Sequence, residues 1–119
     1  MSTATRADYA EAAAAILAGA SDATQVYELA GDDAFTQSEF AAALAEASGK
    51  PVVYQNLPEA EYGAALEQIG IPGPFAKILA DSSARSADGA LFDDSRTLSR
   101  LIGRPTTPWR ETVKEALRD

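Results

Sequence analysis

The stretch that decides the fold runs from Gln25 to Asn56. It opens with Gln25-Val26-Tyr27-Glu28-Leu29, breaks at Gly31-Asp32-Asp33, restarts at Phe35-Thr36-Gln37-Ser38-Glu39-Phe40 and ends in Lys50-Pro51-Val52-Val53-Tyr54-Gln55-Asn56. The alternation over 25–29 and the β-branched and aromatic run over 52–56 each predict a short strand. Between them Thr36 and Glu39 have the spacing of a capping box, with Phe35 and Phe40 placed as its hydrophobic staple. Phe40, Leu44 and Ala47 carry the helix onward, and Gly49 fits a left-handed stop. Strand, helix and strand at this separation predict a right-handed parallel crossover.

The flanks read helical. Tyr9, Ala13, Ile16 and Leu17 share one face of a helix over 7–17, with Asp8 and Glu11 near its positive start and Gly19 as its stop. Pro58 opens a helix carrying Tyr62, Leu66 and Ile69, closed by Gly70. After the break Ile71-Pro72-Gly73-Pro74, Phe75, Ile78 and Leu79 mark another helix whose periodicity fades over 82–88, and 89–92 reads as irregular. Asp93 or Asp94 is placed to cap a helix through Leu98, Leu101 and Ile102, which Gly103 and Pro105 end. Thr107 then caps a last helix, with Pro108 at its first position and Trp109, Val113, Ala116 and Leu117 facing inward. The expected fold is α+β, α/β-derived: a single domain over 1–119 with two short parallel strands and about six helices. Two strands are too few for an independent sheet. Either helices cover them, or they are the edge of a sheet whose other strands lie in another polypeptide segment.

Composition narrows the chemistry. At 119 residues the chain has the length of one domain, and its core must lean on few large side chains because Ala supplies much of the apolar content. A net charge of −8 argues against nucleic acid and anionic membrane as partners. No apolar run approaches the roughly 20 residues of a membrane span, and no signal peptide is visible before Arg6, so a cytoplasmic location is the default expectation. There is no Cys and no His, so neither a disulfide, a Ser-His-Asp or Cys-His centre, nor a His/Cys zinc site is available.

Few residues stand out as sites. Asp93-Asp94 are paired acids or helix caps, and the caps are the better reading. Asp32-Asp33 after Gly31 read as a turn. Arg104, between Gly103 and Pro105, is placed either for an anionic ligand or, as the better reading, to pair with helix-end carbonyls or a nearby carboxylate. Ser82, Ser83, Arg85 and Ser86 are a mobile loop or a solvated stretch. Glu111, Lys114, Glu115 and Arg118 form a solvated helix face.

In their order and spacing, Ala4-Thr5-Arg6-Ala7-Asp8-Tyr9-Ala10, Val26-Tyr27-Glu28-Leu29-Ala30-Gly31-Asp32, the turn over 35–39, Val53-Tyr54-Gln55-Asn56-Leu57-Pro58 and the segment 89–105 resemble the C-terminal part of NmrA-like, atypical short-chain dehydrogenases. The resemblance covers nearly the whole chain and is nearest to the NAD(P)H:quinone oxidoreductase type, with triphenylmethane reductase as a relative. It implies a substrate lobe normally joined to an N-terminal Rossmann domain that these residues lack, with hydride passing in the whole protein from NAD(P)H to a quinone-like molecule. Gly70-Ile71-Pro72-Gly73 lacks the three-glycine phosphate pattern, and no Tyr is followed four residues later by Lys. The implied chain is therefore inactive alone, with no catalytic, cofactor-binding or metal residues of its own. Its implied partner is the missing Rossmann half or a second copy in a homodimer. Arg6, Asp8 and Tyr9 lie in a matching segment, Tyr9 as a core residue. Phe75, Ile78, Leu79 and Phe92 are the candidate substrate-binding wall, because a quinone ring needs flat apolar surface; plain core packing is the competing and better-favoured reading. The alternative is a non-catalytic interaction or redox-sensing regulatory module of the same family, whose free strand edges pair with a partner.

Overall fold

The computed structural model describes residues 1–19, 21–22 and 24–118. Six helices account for its regular structure: α1 (Arg6–Leu17), α2 (Gln37–Ser48), α3 (Glu59–Gln68), α4 (Gly73–Ala87), α5 (Thr97–Ile102) and α6 (Trp109–Ala116). They fall into two compact units, one of Met1–Val53 with Phe92–Asp119 and one of Tyr54–Leu91. In the first, α1 packs on α5 and α2 on α6; in the second, α3 packs on α4.

The helix starts and stops follow local chemistry. Thr36 Oγ1 accepts from the Glu39 backbone N–H at 3.2 Å, and Glu39 Oε2 accepts from the Thr36 N–H at 2.7 Å, which completes the capping box at the head of α2. Gly49 ends α2 at φ 66°, where a residue with a Cβ is strained. Thr5 caps α1 by accepting from the Asp8 N–H at 3.0 Å. The stretch 82–87, expected to leave the helix, continues α4 to Ala87, and Arg85 pairs with Asp81 one turn earlier at 3.3 Å.

The expected α+β fold is wrong for this chain: among the described residues there is no strand, and the crossover over 25–56 is absent. The physical reason lies in both segments. Ahead of the first, Asp22 Oδ1 accepts from the Thr24 N–H at 2.8 Å and from its hydroxyl at 2.7 Å, and the Ser21 and Tyr27 hydroxyls meet at 2.7 Å. This local polar loop competes with extension into a ladder. Val26 and Val53, the most strand-like positions, are 91% and 86% exposed. Alternation describes only what a segment prefers; a strand also needs a partner for its backbone groups, and 25–29 and 52–56 do not pair. Helix α2, instead of covering a sheet, lies against α6.

The first unit is organised around small helix contacts and an aromatic cluster. Ala12, Ala41, Ala43, Leu98 and Val113 are buried. Phe35 stacks on Phe40, and the Trp109 ring lies 4.6 Å from Phe35 and 6.1 Å from Phe40, which joins the start of α2 to the start of α6. The segment before α1 runs through this unit as an extended strut: Met1 and Phe35 exchange two hydrogen bonds of 2.9 Å, and Gly31 N–H reaches the Ser2 carbonyl at 3.4 Å. A Cβ at position 31 would lie 2.1 Å from the Thr3 carbonyl oxygen, so the strut and the turn approach each other only because residue 31 is glycine. In the second unit, Leu66, Ala76 and Ala80 are buried, and Gly63 lets α3 approach the Ala80 methyl.

Candidate functional site

Asp8 is a buried carboxylate held by several donors. It occupies the first turn of α1, and its side chain is fully buried. Arg104 Nη2 donates to Asp8 Oδ1 at 2.7 Å, the Thr107 N–H donates to Oδ2 at 2.9 Å, and the Thr107 hydroxyl donates to Oδ1 at 3.2 Å. The same Arg104 nitrogen reaches Glu11 one turn along α1. Burial by itself would raise the Asp8 pKa; the Arg104 guanidinium and the Thr107 donors outweigh it and hold the carboxyl below the ordinary range. The carboxylate thus ties the start of α1 to the loop between α5 and α6. Next to it, Thr106 and Asp32 form a reciprocal pair: the Asp32 N–H donates to Thr106 Oγ1 at 2.8 Å and the Thr106 N–H to Asp32 Oδ2 at 3.0 Å.

Of the residues singled out by sequence, Arg104 and Asp32 find structural partners in this network. Arg104 binds two carboxylates of the chain, as its protein-internal reading requires. Asp32 turns the chain and also clamps Thr106. Arg6 is exposed and Tyr9 half-buried, but the buried face of α1 runs through Asp8 and Ala12, and Leu17, expected to face inward, is 84% exposed. Asp93 and Asp94 do not cap α5. Asp93 Oδ2 accepts from the Ser95 hydroxyl at 2.6 Å, and the cap position is Arg96, at φ 56°. Thr107 does not cap α6 either: the cap is Pro108, and the Thr107 hydroxyl is spent on Asp8.

The four candidate wall residues divide between the units. Phe75, Ile78 and Leu79 lie on α4, and their spacing of three and four residues sets them on one helix face. Phe75 is 52% and Ile78 60% exposed, with Leu79 half-buried. Phe92 belongs to the other unit and is also exposed. The Asp93 N–H beside it donates to the buried Ser2 hydroxyl at 3.4 Å. Sequence reasoning missed the Asp8 network. The only local signal is the Thr5-to-Asp8 spacing of a helix start; the contacts to Arg104 and Thr107 span 96 and 99 residues.

The turn before α4 is poorly suited to the phosphates of a dinucleotide. The glycine-bearing turn before α4 offers its positive end, but Pro72 and Pro74 supply no N–H, and a Cβ on Gly73 would sit 3.1 Å from the Glu67 carboxylate. An anion there meets a negative charge and too few donors. Among the described residues no cluster of acidic, His or Cys side chains could hold a metal ion, and no helix is long and apolar enough to cross a membrane.

No protein-family model matches the chain. It is 53% identical over 113 residues to quinone oxidoreductase 2 of Escherichia coli, a match that covers 95% of this chain and 40% of that protein. The crystal structure of the NADPH-dependent quinone oxidoreductase of E. coli in complex with NADPH superposes with a TM-score of 0.93 at 52% identity, over 98% of this chain and 41% of the other. The Citrobacter sp. triphenylmethane reductase complexed with NADP(H) gives 0.89 at 37% identity, over 98% and 41%. The chain therefore spans about two fifths of the length of the relatives it matches.

Proposed function

As a homologue, over nearly its whole length, of part of the NmrA-like quinone oxidoreductases and triphenylmethane reductases, this chain is, we propose, the lobe that forms the wall against which a flat quinone-like substrate lies. Phe75, Ile78 and Leu79 on α4 make that wall. The observation that carries this reading is the apolar face of α4. A chain of net charge −8 leaves an aromatic and a β-branched side chain more than half exposed there, one turn apart on a single helix face.

The residues present do wall chemistry and no more. Phe75 offers a ring for offset stacking, Ile78 and Leu79 flank it with aliphatic surface, and burying such surface contributes about 25 cal/mol per Å². The turn before α4 repels an anionic cofactor through Glu67, so dinucleotide binding belongs to the remaining three fifths of a protein like its relatives, and these residues alone do not reduce substrate. Two titrations of the chain test this. Menadione, a neutral naphthoquinone, is expected to shift the amide resonances of α4 saturably, with Phe75→Ala and Ile78→Ser each weakening the effect about tenfold, a loss on the order of 1.4 kcal/mol. NADPH is expected to bind no tighter than millimolar. Menadione shifts that spare α4, or tighter NADPH binding, would refute the assignment.

A further inference from the structure

We propose that the first unit carries a second binding site, for a small neutral aromatic molecule of one or two fused rings, in the cavity between α2 and α6. The cavity has a volume of about 240 Å³. An apolar cavity of about 150 Å³ is enough to bind benzene, while sites for drug-sized ligands begin at about 300 Å³, so the space suits a phenol- or naphthol-sized molecule. Three aromatic side chains supply its walls: Phe35, Phe40 and Trp109, the trio that joins the two helix starts. Leu44 and Val113 close it from the facing helices.

Its charge and its hydroxyls define the ligand further. Among the described residues no side chain with a formal charge lines the cavity, in a chain where charged residues make up 24% of the sequence. An ion placed there would lose hydration and find no counter-charge, which excludes nucleotides, carboxylates and ammonium compounds. Four threonines, Thr3, Thr5, Thr107 and Thr112, line it as well. Thr5 and Thr107 are engaged at Asp8; Thr3 and Thr112 are solvent-facing residues whose hydroxyls can serve an oxygen on the ring edge. The site lies wholly within the first unit and does not depend on the α4 wall.

The test uses 2-naphthol. The chain has a single Trp, so its one indole N–H resonance reports directly on the cavity. Saturable shifts of that resonance and of the amides of α2 and α6 are expected. Ala116→Phe, at an exposed lining position, fills the space and is expected to weaken binding at least tenfold, while Phe75→Ala leaves it unchanged. Leu44→Phe, from the opposite wall, repeats the test should Ala116→Phe fail to fold. The proposal is overturned by the absence of a saturable shift up to the solubility of the probe, by shifts that survive both cavity-filling variants in folded protein, or by shifts confined to α4. The last of these would leave the quinone wall standing while removing this site.

Discussion

Replacing Asp8 by Ala tests whether a single carboxylate holds the first unit together. The side chain is fully buried and accepts three hydrogen bonds, two of them from Thr107. Its removal leaves the Thr107 N–H facing a hole, at a desolvation cost of about 1–3 kcal/mol, and forfeits a charge-assisted bond. Breaking a fully buried ion pair from one side costs about 3–5 kcal/mol. Here the partner is 41% exposed and keeps Glu11, so it rehydrates instead of being stranded. The two considerations meet at about 3 kcal/mol for Asp8→Ala. Asp8→Asn retains one acceptor oxygen and is expected to lose about half as much. Urea unfolding followed by far-ultraviolet circular dichroism at pH 7 measures both, and in a unit of this size Asp8→Ala corresponds to a fall in Tm of roughly 10 °C or more. A loss below about 1 kcal/mol would mean that the network is decoration on a helix contact already fixed by Ala12 and Leu98.

The same carboxylate predicts a pH signature. Its folded pKa lies below the ordinary 3.8, so the stability it contributes is fully present above that value and is lost as the pH falls through the depressed folded pKa. The gap between parent and Asp8→Asn should therefore close in strongly acidic solution; a gap of constant size would sink the idea. Gly31→Ala forces a methyl to within 2.1 Å of the Thr3 carbonyl oxygen and should cost about 3 kcal/mol or fail to fold. Gly89→Ala, at φ 92° with open space around it, should cost only about 1 kcal/mol by thermal denaturation. Thr106→Val removes the acceptor of the Asp32 N–H and should lower stability by about 1–2 kcal/mol in the same urea assay. Phe75→Ala should change stability by less than about 1 kcal/mol, since half of the ring is in water; a larger loss would make that ring a packing residue of α4.

The legible parts of this chain are those fixed within four residues. Thr36 and Glu39 announce the start of α2 because both partners of the capping box lie in one turn, and Gly49 announces its end because only the backbone angle matters there. The existence of each helix follows from the same short-range periodicity. The two expected strands do not form, for the complementary reason. Val26 and Val53 express a preference for extended backbone, but pairing depends on what faces that backbone across the fold, and among the described residues neither segment forms a ladder. Helix α4 was cut short for a related reason: its serines and Arg85 carry no apolar period, yet an ion pair between neighbouring turns and the continuing backbone bonds suffice to extend it.

Asp8 shows why sites are harder to read than helices. On a helical wheel a buried face is sought among apolar residues, and α1 offers Tyr9, Ile16 and Leu17 for it. The structure buries the charged residue instead, because Arg104 and Thr107 arrive from nearly a hundred residues away with a complementary cation and donors. Desolvation alone would forbid the arrangement; the partners reverse the sign, and the pKa moves down instead of up. Arg104 is the detectable half of the pair, since an arginine between a helix-ending glycine and a proline invites a nearby carbonyl, carboxylate or anion as its partner. Its choice among the 18 acidic residues of the chain is a tertiary fact. Asp8, Arg104 and Asp32 are thereby engaged within unit one, through partners distant in sequence. Phe75 and Ile78 on α4, and Phe92 in the other unit, stay as exposed apolar surface.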